Sequence, residues 1–296
     1  MKKKAAVVVT YNRKILLEEN IKAILDQTQK LDLIIVDNGS TDGTEEHVKK
    51  YVSDRVKYYN TGKNLGGAGG FNYGMKIAYK QKYDYCWIMD DDTIPHKDAL
   101  EKLLTAAKEL NDKFSFLNSV VLWTDGNLCN MNIPKVTGNA IKNYKSIKNG
   151  FMQIDSCSFV SCFINMKYVK KIGYPISDFF IYGDDMEYTT RLSKEAPGYL
   201  VPDSFVTHKM GSNVGINIID VEKNRIDRYF YNFRNLSYIY KKYDPREYRM
   251  HKLKAYYLAV KALLKAKDGK FKRMHVILKG IRAGKKFNPE IEFPNK

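Results

Sequence analysis

The sequence predicts an α/β fold, and three observations carry that prediction. Over the first 120 residues, short apolar runs alternate with amphipathic stretches of helical length. The runs are apolar almost throughout, as strands of a parallel sheet covered on both faces must be. The unusual residues fall just beyond the ends of the runs, where ligands bind in open α/β sheets.

Taken in order, 5–10 (Ala-Ala-Val-Val-Val-Thr), 31–37, 56–60, 85–90 and 114–122 read as strands, being short, apolar and rich in β-branched or aromatic residues. Between them, 15–27, 44–52, 67–82 and 97–110 read as helices. The stretch 125–155 loosens into Asn, Gly and Lys, the pattern of a loop-rich excursion or hairpin, and periodicity returns over 158–166. A polar helix is expected over 184–195, then a short strand over 199–202 leading to Val206-Thr207-His208. Further on, Leu253, Tyr256, Tyr257, Val260, Leu263 and Leu264 recur at helical spacing among lysines, and a second basic helix is expected over 271–286. The expected division is one α/β domain over 1–220 and a basic, amphipathic helical region over 221–296.

The chain has 296 residues, 44% hydrophobic, 28% charged and 13% aromatic, which excludes disorder as a global description. No run approaches the roughly 18 apolar residues needed to cross a bilayer, and the apolar start is too short for a signal-peptide core. A cytoplasmic location is the expectation. Cys86, Cys129, Cys157 and Cys162 show no metal-like spacing and read as packed, reduced thiols. The formal net charge is +17, but 221–296 hold 21 Lys and Arg against 7 Asp and Glu, so +14 of it belongs to the last quarter.

Asp90-Asp91-Asp92 follows an apolar strand. Adjacent carboxylates raise one another's pKa values unless a cation lies between them, and a hard divalent cation takes carboxylate, phosphate and water oxygens. Helix capping would account for one of the three, not for all. Asn64-Leu-Gly-Gly-Ala-Gly-Gly-Phe71 lies between a strand and a helix, where glycines admit a ligand to the backbone and free N–H groups meet phosphate or sugar oxygens. The alternative is close packing of a helix on the sheet, which suits Gly69, Gly70 and Gly74. Asp184-Asp185-Met186-Glu187 opens a helix, either as caps or as a carboxylate base for a hydroxyl nucleophile. His208 ends a strand, where a ring nitrogen could join the same cation.

Together Val8-Val-Thr-Tyr-Asn-Arg13, Val36-Asp-Asn-Gly-Ser-Thr-Asp42, the glycine run, Trp87-Ile-Met-Asp-Asp-Asp92 and Asp184-Asp-Met-Glu187 resemble the ordered motifs of inverting family 2 glycosyltransferases. Within that family they look most like bacterial galactofuranosyltransferases. The resemblance covers about 5–210 and implies a GT-A fold, a Rossmann-like mixed sheet with helices on both faces. It implies Asp90, Asp92 and His208 as ligands of Mn2+ or Mg2+ on the donor pyrophosphate. Thr10, Arg13, Asp37, Asn64, Asp90 and Asp91 would bind the donor nucleotide, Arg13 by stacking on the base. Gly66, Gly67 and Gly69 would face the donor sugar and phosphates, Asp185 would be the general base, and Tyr182, Asp184 and Glu187 would line the acceptor side. Galactofuranosyltransferases carry Trp before their Asp-Asp pair, whereas Gly183 stands here.

The implied activity is inverting transfer of galactofuranose from UDP-galactofuranose to a hydroxyl of a lipid-linked saccharide, at the cytoplasmic face of the membrane and with no nucleic acid partner. Rhamnosyl or another hexosyl transfer is the nearest alternative. A sugar-phosphate nucleotidyltransferase would place a Gly-rich loop after the first strand, where Thr10-Tyr-Asn-Arg13 stands. A basic nucleic-acid- or membrane-binding protein without transferase activity is the reading from charge alone. The apolar stripe among the lysines suits either an anionic membrane or a packed helical pair.

Overall fold

The structure is a computed structural model that describes residues 2–138, 147, 150–215 and 217–294. Its strands and helices run β1 (Lys4–Thr10), α1 (Lys14–Leu25), β2 (Asp32–Asp37), α2 (Thr44–Val48), β3 (Val56–Asn60), α3 (Gly66–Lys80), β4 (Tyr85–Asp90), β5 (Thr93–Pro95) and α4 (Ala99–Glu109). They continue with β6 (Phe116–Trp123), β7 (Lys135–Val136), β8 (Met152–Ser156), β9 (Cys162–Asn165), α5 (Val169–Ile172), α6 (Asp184–Glu195), β10 (Gly198–His208), α7 (Tyr229–Tyr243), α8 (Pro245–Lys265) and α9 (Lys270–Lys286).

Among the described residues the strands form one sheet in the order β3-β2-β1-β4-β9-β6-β10-β8-β7, with β5 paired to β10. The β3-β2-β1-β4 half is parallel, as the apolar runs predict. The sheet as a whole is mixed, because β9 runs antiparallel between β4 and β6. All four residues of β9 are buried, so its composition carries no mark of direction. The short strand expected over 199–202 is part of the eleven-residue β10, whose register shifts between Val201 and Phe205. That bulge accommodates Pro202, which has no N–H to donate to a ladder. The excursion over 125–155 contains β7 and β8 as an antiparallel pair; its stretches 139–146 and 148–149 lie outside the described residues.

Alternation along the strands builds a core on each face. Ala6, Val8, Leu33, Ile35 and Trp87 pack with Leu17, Ile21 and Ile24 of α1 and Leu100 and Leu103 of α4. Ala5, Val7, Val9, Ile34, Val36 and Ile88 pack with Phe71 and Met75 of α3 and Tyr188 and Leu192 of α6. Each large side chain so buried contributes roughly 1.5–3 kcal/mol. α3 lies close on β1: a Cβ at Gly70 would meet Val9 Cγ1 at 2.5 Å, and one at Gly74 would meet Val7 Cγ1 at 2.4 Å. The four cysteines are buried and free, in line with their spacing.

The chain forms two compact units. The first comprises 1–177, 185–214 and 291–296, and the second 178–184 and 215–290. The first therefore takes back the end of the chain: Tyr174 N–H donates to Glu292 O at 2.8 Å and Asn72 Nδ2 to Glu292 Oε1 at 3.0 Å. In the second unit, Ile218, Ile226, Tyr229, Phe233, Ala255, Ala259, Ala262, Ile277 and Ile281 form the core. Arg273 is buried beside it and donates to Val221 O at 2.8 Å and Asp268 O at 2.9 Å, which engages its guanidinium within the unit. No helix among the described residues is long and apolar enough to cross a membrane.

Candidate active site

Strand register places the chemistry. Thr10 pairs with Asp37 and Val9 with Asp90, so β1, β2 and β4 deliver Thr10, Asp37 and Asp90 to one edge of the sheet. The chain then turns through Asp91 and Asp92 into β5, whose Thr93 pairs with His208 at the end of β10. Lys209 N–H closes the junction on Asp92 O at 2.8 Å. Two strands remote in sequence thus bring an imidazole to the carboxylates.

One side-chain oxygen each from Asp90 and Asp92 and a ring nitrogen of His208 lie within 4.8 Å of one another. His208 Nε2 is 3.1 Å from Asp92 Oδ1, and its Nδ1 is 2.9 Å from Asn132 Oδ1. Asn132 and Asp92 hold the two ring nitrogens, so the imidazole is oriented by an outer partner as metal-binding histidines are. Burial, then the neighbouring Asp92, pushes the Asp90 carboxyl up to about 7. Burial also raises Asp91, to about 6, against the pull of Arg13. Asp92 lies below the usual carboxylate range despite its burial, because His208 hydrogen-bonds it. His208 is raised in turn by Asp92, against the effect of burial. Buried carboxylates that retain protons this readily call for added positive charge, and two oxygens with one imidazole nitrogen suit a divalent cation. The residues present therefore fit a metal.

Arg13 is partly such a charge already. Its Nη1 reaches Asp92 Oδ2 at 2.6 Å and Asp91 Oδ1 at 3.3 Å, with half of the side chain exposed. Arg13 thus bridges two carboxylates. The turn that presents it depends on Asn12 at φ +55°, a left-handed conformation that Asn tolerates. Asn12 takes an N–H bond from Thr41 at 2.7 Å and donates its own N–H to Ser40 at 2.8 Å, tying this turn to the one after β2. Thr10 Oγ1 donates to Asp91 Oδ2 at 2.7 Å. Asp37 is wholly buried and accepts from Tyr58 Oη at 2.6 Å and Ser40 N–H at 2.8 Å.

The glycine run divides in two. Asn64 Oδ1 accepts from Gly66 N–H at 2.8 Å, and Gly66 has φ +72°. A Cβ at Gly67 would meet nothing within 4 Å, so the first turn of α3 is open there. Gly69 belongs to the packing set instead: its Cβ would fall 2.7 Å from Leu65 Cβ.

Asp185 starts the first turn of α6, and its Oδ1 accepts from Met186 N–H at 2.6 Å. Burial pushes its carboxyl up to about 6, partly opposed by that bond. Thr189 Oγ1 donates to Asp185 O at 2.6 Å and Cys157 N–H donates to Thr189 Oγ1 at 3.2 Å, which fixes the turn to the segment before β9. Glu187, expected on the acceptor side, is wholly buried and paired with Arg191 Nη2 at 2.9 Å. Arg191 also holds the Ile172 and Tyr174 carbonyls, so the pair anchors α6 and leaves Glu187 no face for an acceptor.

Tyr182 and Asp184 belong to the second unit. Phe180, Tyr182 and Gly183 all have positive φ (+62°, +67° and +80°), strained for aromatic residues. Asn235 Nδ2 holds that segment through the Phe179, Ile181 and Tyr182 carbonyls at 3.0, 3.0 and 2.8 Å. A Cβ at Gly183 would lie 3.1 Å from Ile239 Cδ1. The left-handed backbone and that neighbour together favour glycine at 183. The sequence reading missed Asn132, Asn235 and Tyr58; each acts by hydrogen-bond geometry that no periodicity announces.

Residues 5–173 match glycosyl transferase family 2, and the chain belongs to that family. Its fold is GT-A and it is a glycosyltransferase. Among curated relatives it is 26% identical over 263 residues to galactofuranosyltransferase GlfT1 of Mycolicibacterium smegmatis, covering 79% of this chain and 82% of that one. It is 30% identical over 125 residues to the putative teichuronic acid biosynthesis glycosyltransferase TuaG of Bacillus subtilis, covering 41% of this chain and 48% of that protein. In fold it is similar to a crystal structure of GalNAc-T7 with UDP, GalNAc and Mn2+, with a TM-score of 0.58 at 13% identity. That likeness covers 80% of this chain and half of the other.

Proposed function

We propose that the chain is an inverting, metal-dependent hexosyltransferase that moves galactofuranose from UDP-galactofuranose to a hydroxyl of a lipid-linked saccharide, in the assembly of a surface polysaccharide. The 1–220 region is the catalytic domain, and the basic 221–296 region brings it to the cytoplasmic face of the membrane. The observation that carries the reading is the Asp90, Asp92 and His208 cluster at the carboxyl edge of the sheet. The donor choice is supported by the likeness to GlfT1 over most of both chains.

Asp90, Asp92 and His208 would hold Mn2+ or Mg2+, which offsets negative charge developing on a leaving nucleoside diphosphate. Thr10 and Asp91 shape the nucleotide end of the site with Asp37 and Asn64. Arg13, half exposed beside Asp91 and Asp92, would offer its guanidinium to the donor nucleotide. Gly67, with Gly66 held before it by Asn64, leaves the first turn of α3 open to donor oxygens, where N–H groups and the helix dipole favour negative charge. Asp185 removes the proton of the acceptor hydroxyl, and that oxygen attacks the anomeric carbon opposite the leaving diphosphate. A single displacement of this kind inverts the configuration. A carboxyl held near 6 is ionised at neutral pH and still basic enough to take a proton in the transition state. Tyr182 and Asp184 border the acceptor.

The test is incubation with a panel of nucleotide sugars and a lipid-linked disaccharide, read by product mass and anomeric configuration. UDP-galactofuranose with an inverted product is expected. Transfer from dTDP-rhamnose or a UDP-pyranose alone would move the reading to another family 2 donor, and a retained configuration would overturn the displacement.

A further inference from the structure

We infer that the outward face of α8 is a lipid-docking surface that seats on an anionic membrane. The inference rests on the proposed membrane-facing role and deepens it by naming the face that does the seating.

α8 is packed against its size order. Its inward side is His251, Ala255, Ala259 and Ala262. Leu258 packs partly against that core and Leu263 is half-buried, but Leu253, Tyr257, Val260 and Leu264, spaced i, i+4, i+7 and i+11 on one face, point away and are 62%, 69%, 56% and 73% exposed. Tyr256 and Met250 lie alongside, and Phe271 at the start of α9 is 77% exposed. A helix whose sole task was to close the core of its unit would turn Leu and Val inward and leave Ala or polar residues outside. Scattered exposed apolar residues need no explanation, but a continuous stripe of this kind marks an interaction surface.

Charge selects the occupant. Lys252, Lys254, Lys261 and Lys265 lie among the apolar residues of this helix, and 221–296 carry +14. A second copy would set two strongly positive surfaces against each other. An anionic bilayer matches both features, taking Leu and Val into the acyl boundary, tyrosine rings at headgroup level and lysines on the phosphates. With 21 residues and this charge, the helix lies in the interface and does not span it.

The test is sedimentation of the full chain with phosphatidylcholine vesicles, with and without phosphatidylglycerol. The wild type is expected to pellet with the anionic vesicles and to be released by salt. The triple variant Leu253→Ser, Val260→Ser, Leu264→Ser keeps every charge and is expected to bind at least about tenfold more weakly. Its thermal unfolding should match the wild type, because these side chains are exposed. Since the native cysteines are buried, Leu264→Cys can carry an environment-sensitive dye, whose emission should shift to the blue on anionic vesicles. If the wild type pellets and the triple variant pellets equally, the membrane reading stands and this face is overturned. If the wild type ignores every vesicle, the membrane reading fails and the inference with it. A wild-type dimer in sedimentation equilibrium that the triple variant abolishes would assign the face to a second copy and overturn the lipid assignment.

Discussion

In the sheet, Val7 and Val9 are packed so tightly under α3 that only glycine fits at 70 and 74. In α8, alanines fill the inward positions and Leu253, Tyr257 and Leu264 stand in solvent. Both regions put small residues at a close approach, but for opposite ends. The sheet uses them to bring a helix onto strands whose ends hold the carboxylates, while in α8 they line the core and leave Leu253, Tyr257, Val260 and Leu264 exposed. The teaching is that small residues mark where backbones meet, and that large apolar ones mark a core only when the coordinates place them there.

The comparison can be broken at both ends. The largest effect is expected at the carboxylates: Asp92→Asn should lower kcat/KM about 10³-fold, equivalent to about 4 kcal/mol, by removing a cation ligand and the partner of Arg13 and His208. Steady-state kinetics across a metal titration checks this, and rescue at high metal would show that weakened metal binding is the cause. Next comes Glu187→Gln, which removes the charge of a wholly buried carboxylate paired with Arg191 and should cost about 3 kcal/mol in chemical denaturation. Gly74→Ala should then cost about 1–3 kcal/mol by overpacking against Val7. The smallest effect belongs to Leu264→Ser, within about 0.5 kcal/mol of wild type, as for an exposed site. A Leu264→Ser variant as unstable as Gly74→Ala would mean that the outward face of α8 is covered, and the contrast would collapse.

The fold was legible where the physics is local. β1 to β4 and the helices between them follow from apolar runs, amphipathic spacing and length, and the position of the carboxylates follows from where those runs stop. β9 was illegible in direction because four buried residues look alike from either end. β10 was read as two pieces because Pro202 interrupts its pattern, though the bulge lets the strand continue. At the site, the union of Asp90, Asp92 and His208 follows from motif order, but Asn132 behind His208 lies in a stretch without periodicity. Glu187 sat in an acidic cluster that resembled an acceptor face, and only the Arg191 pair, at i+4 on the same helix, reveals its structural role. The α8 stripe was found by spacing, which ranks residues by size and hydrophobicity and is blind to which side of the helix the core lies on.

The proposed role of Asp185 as the base of the displacement is tested most directly by the pH dependence of transfer by wild type and Asp185→Asn. A carboxylate base must be ionised, so wild-type kcat/KM should rise with pH, bend near 6 and stay level above it. Asp185→Asn should bind UDP with Mn2+ as the wild type does, yet transfer about 10²–10⁴-fold more slowly. Transfer by Asp185→Asn at the wild-type rate, with the same pH profile, would contradict the account.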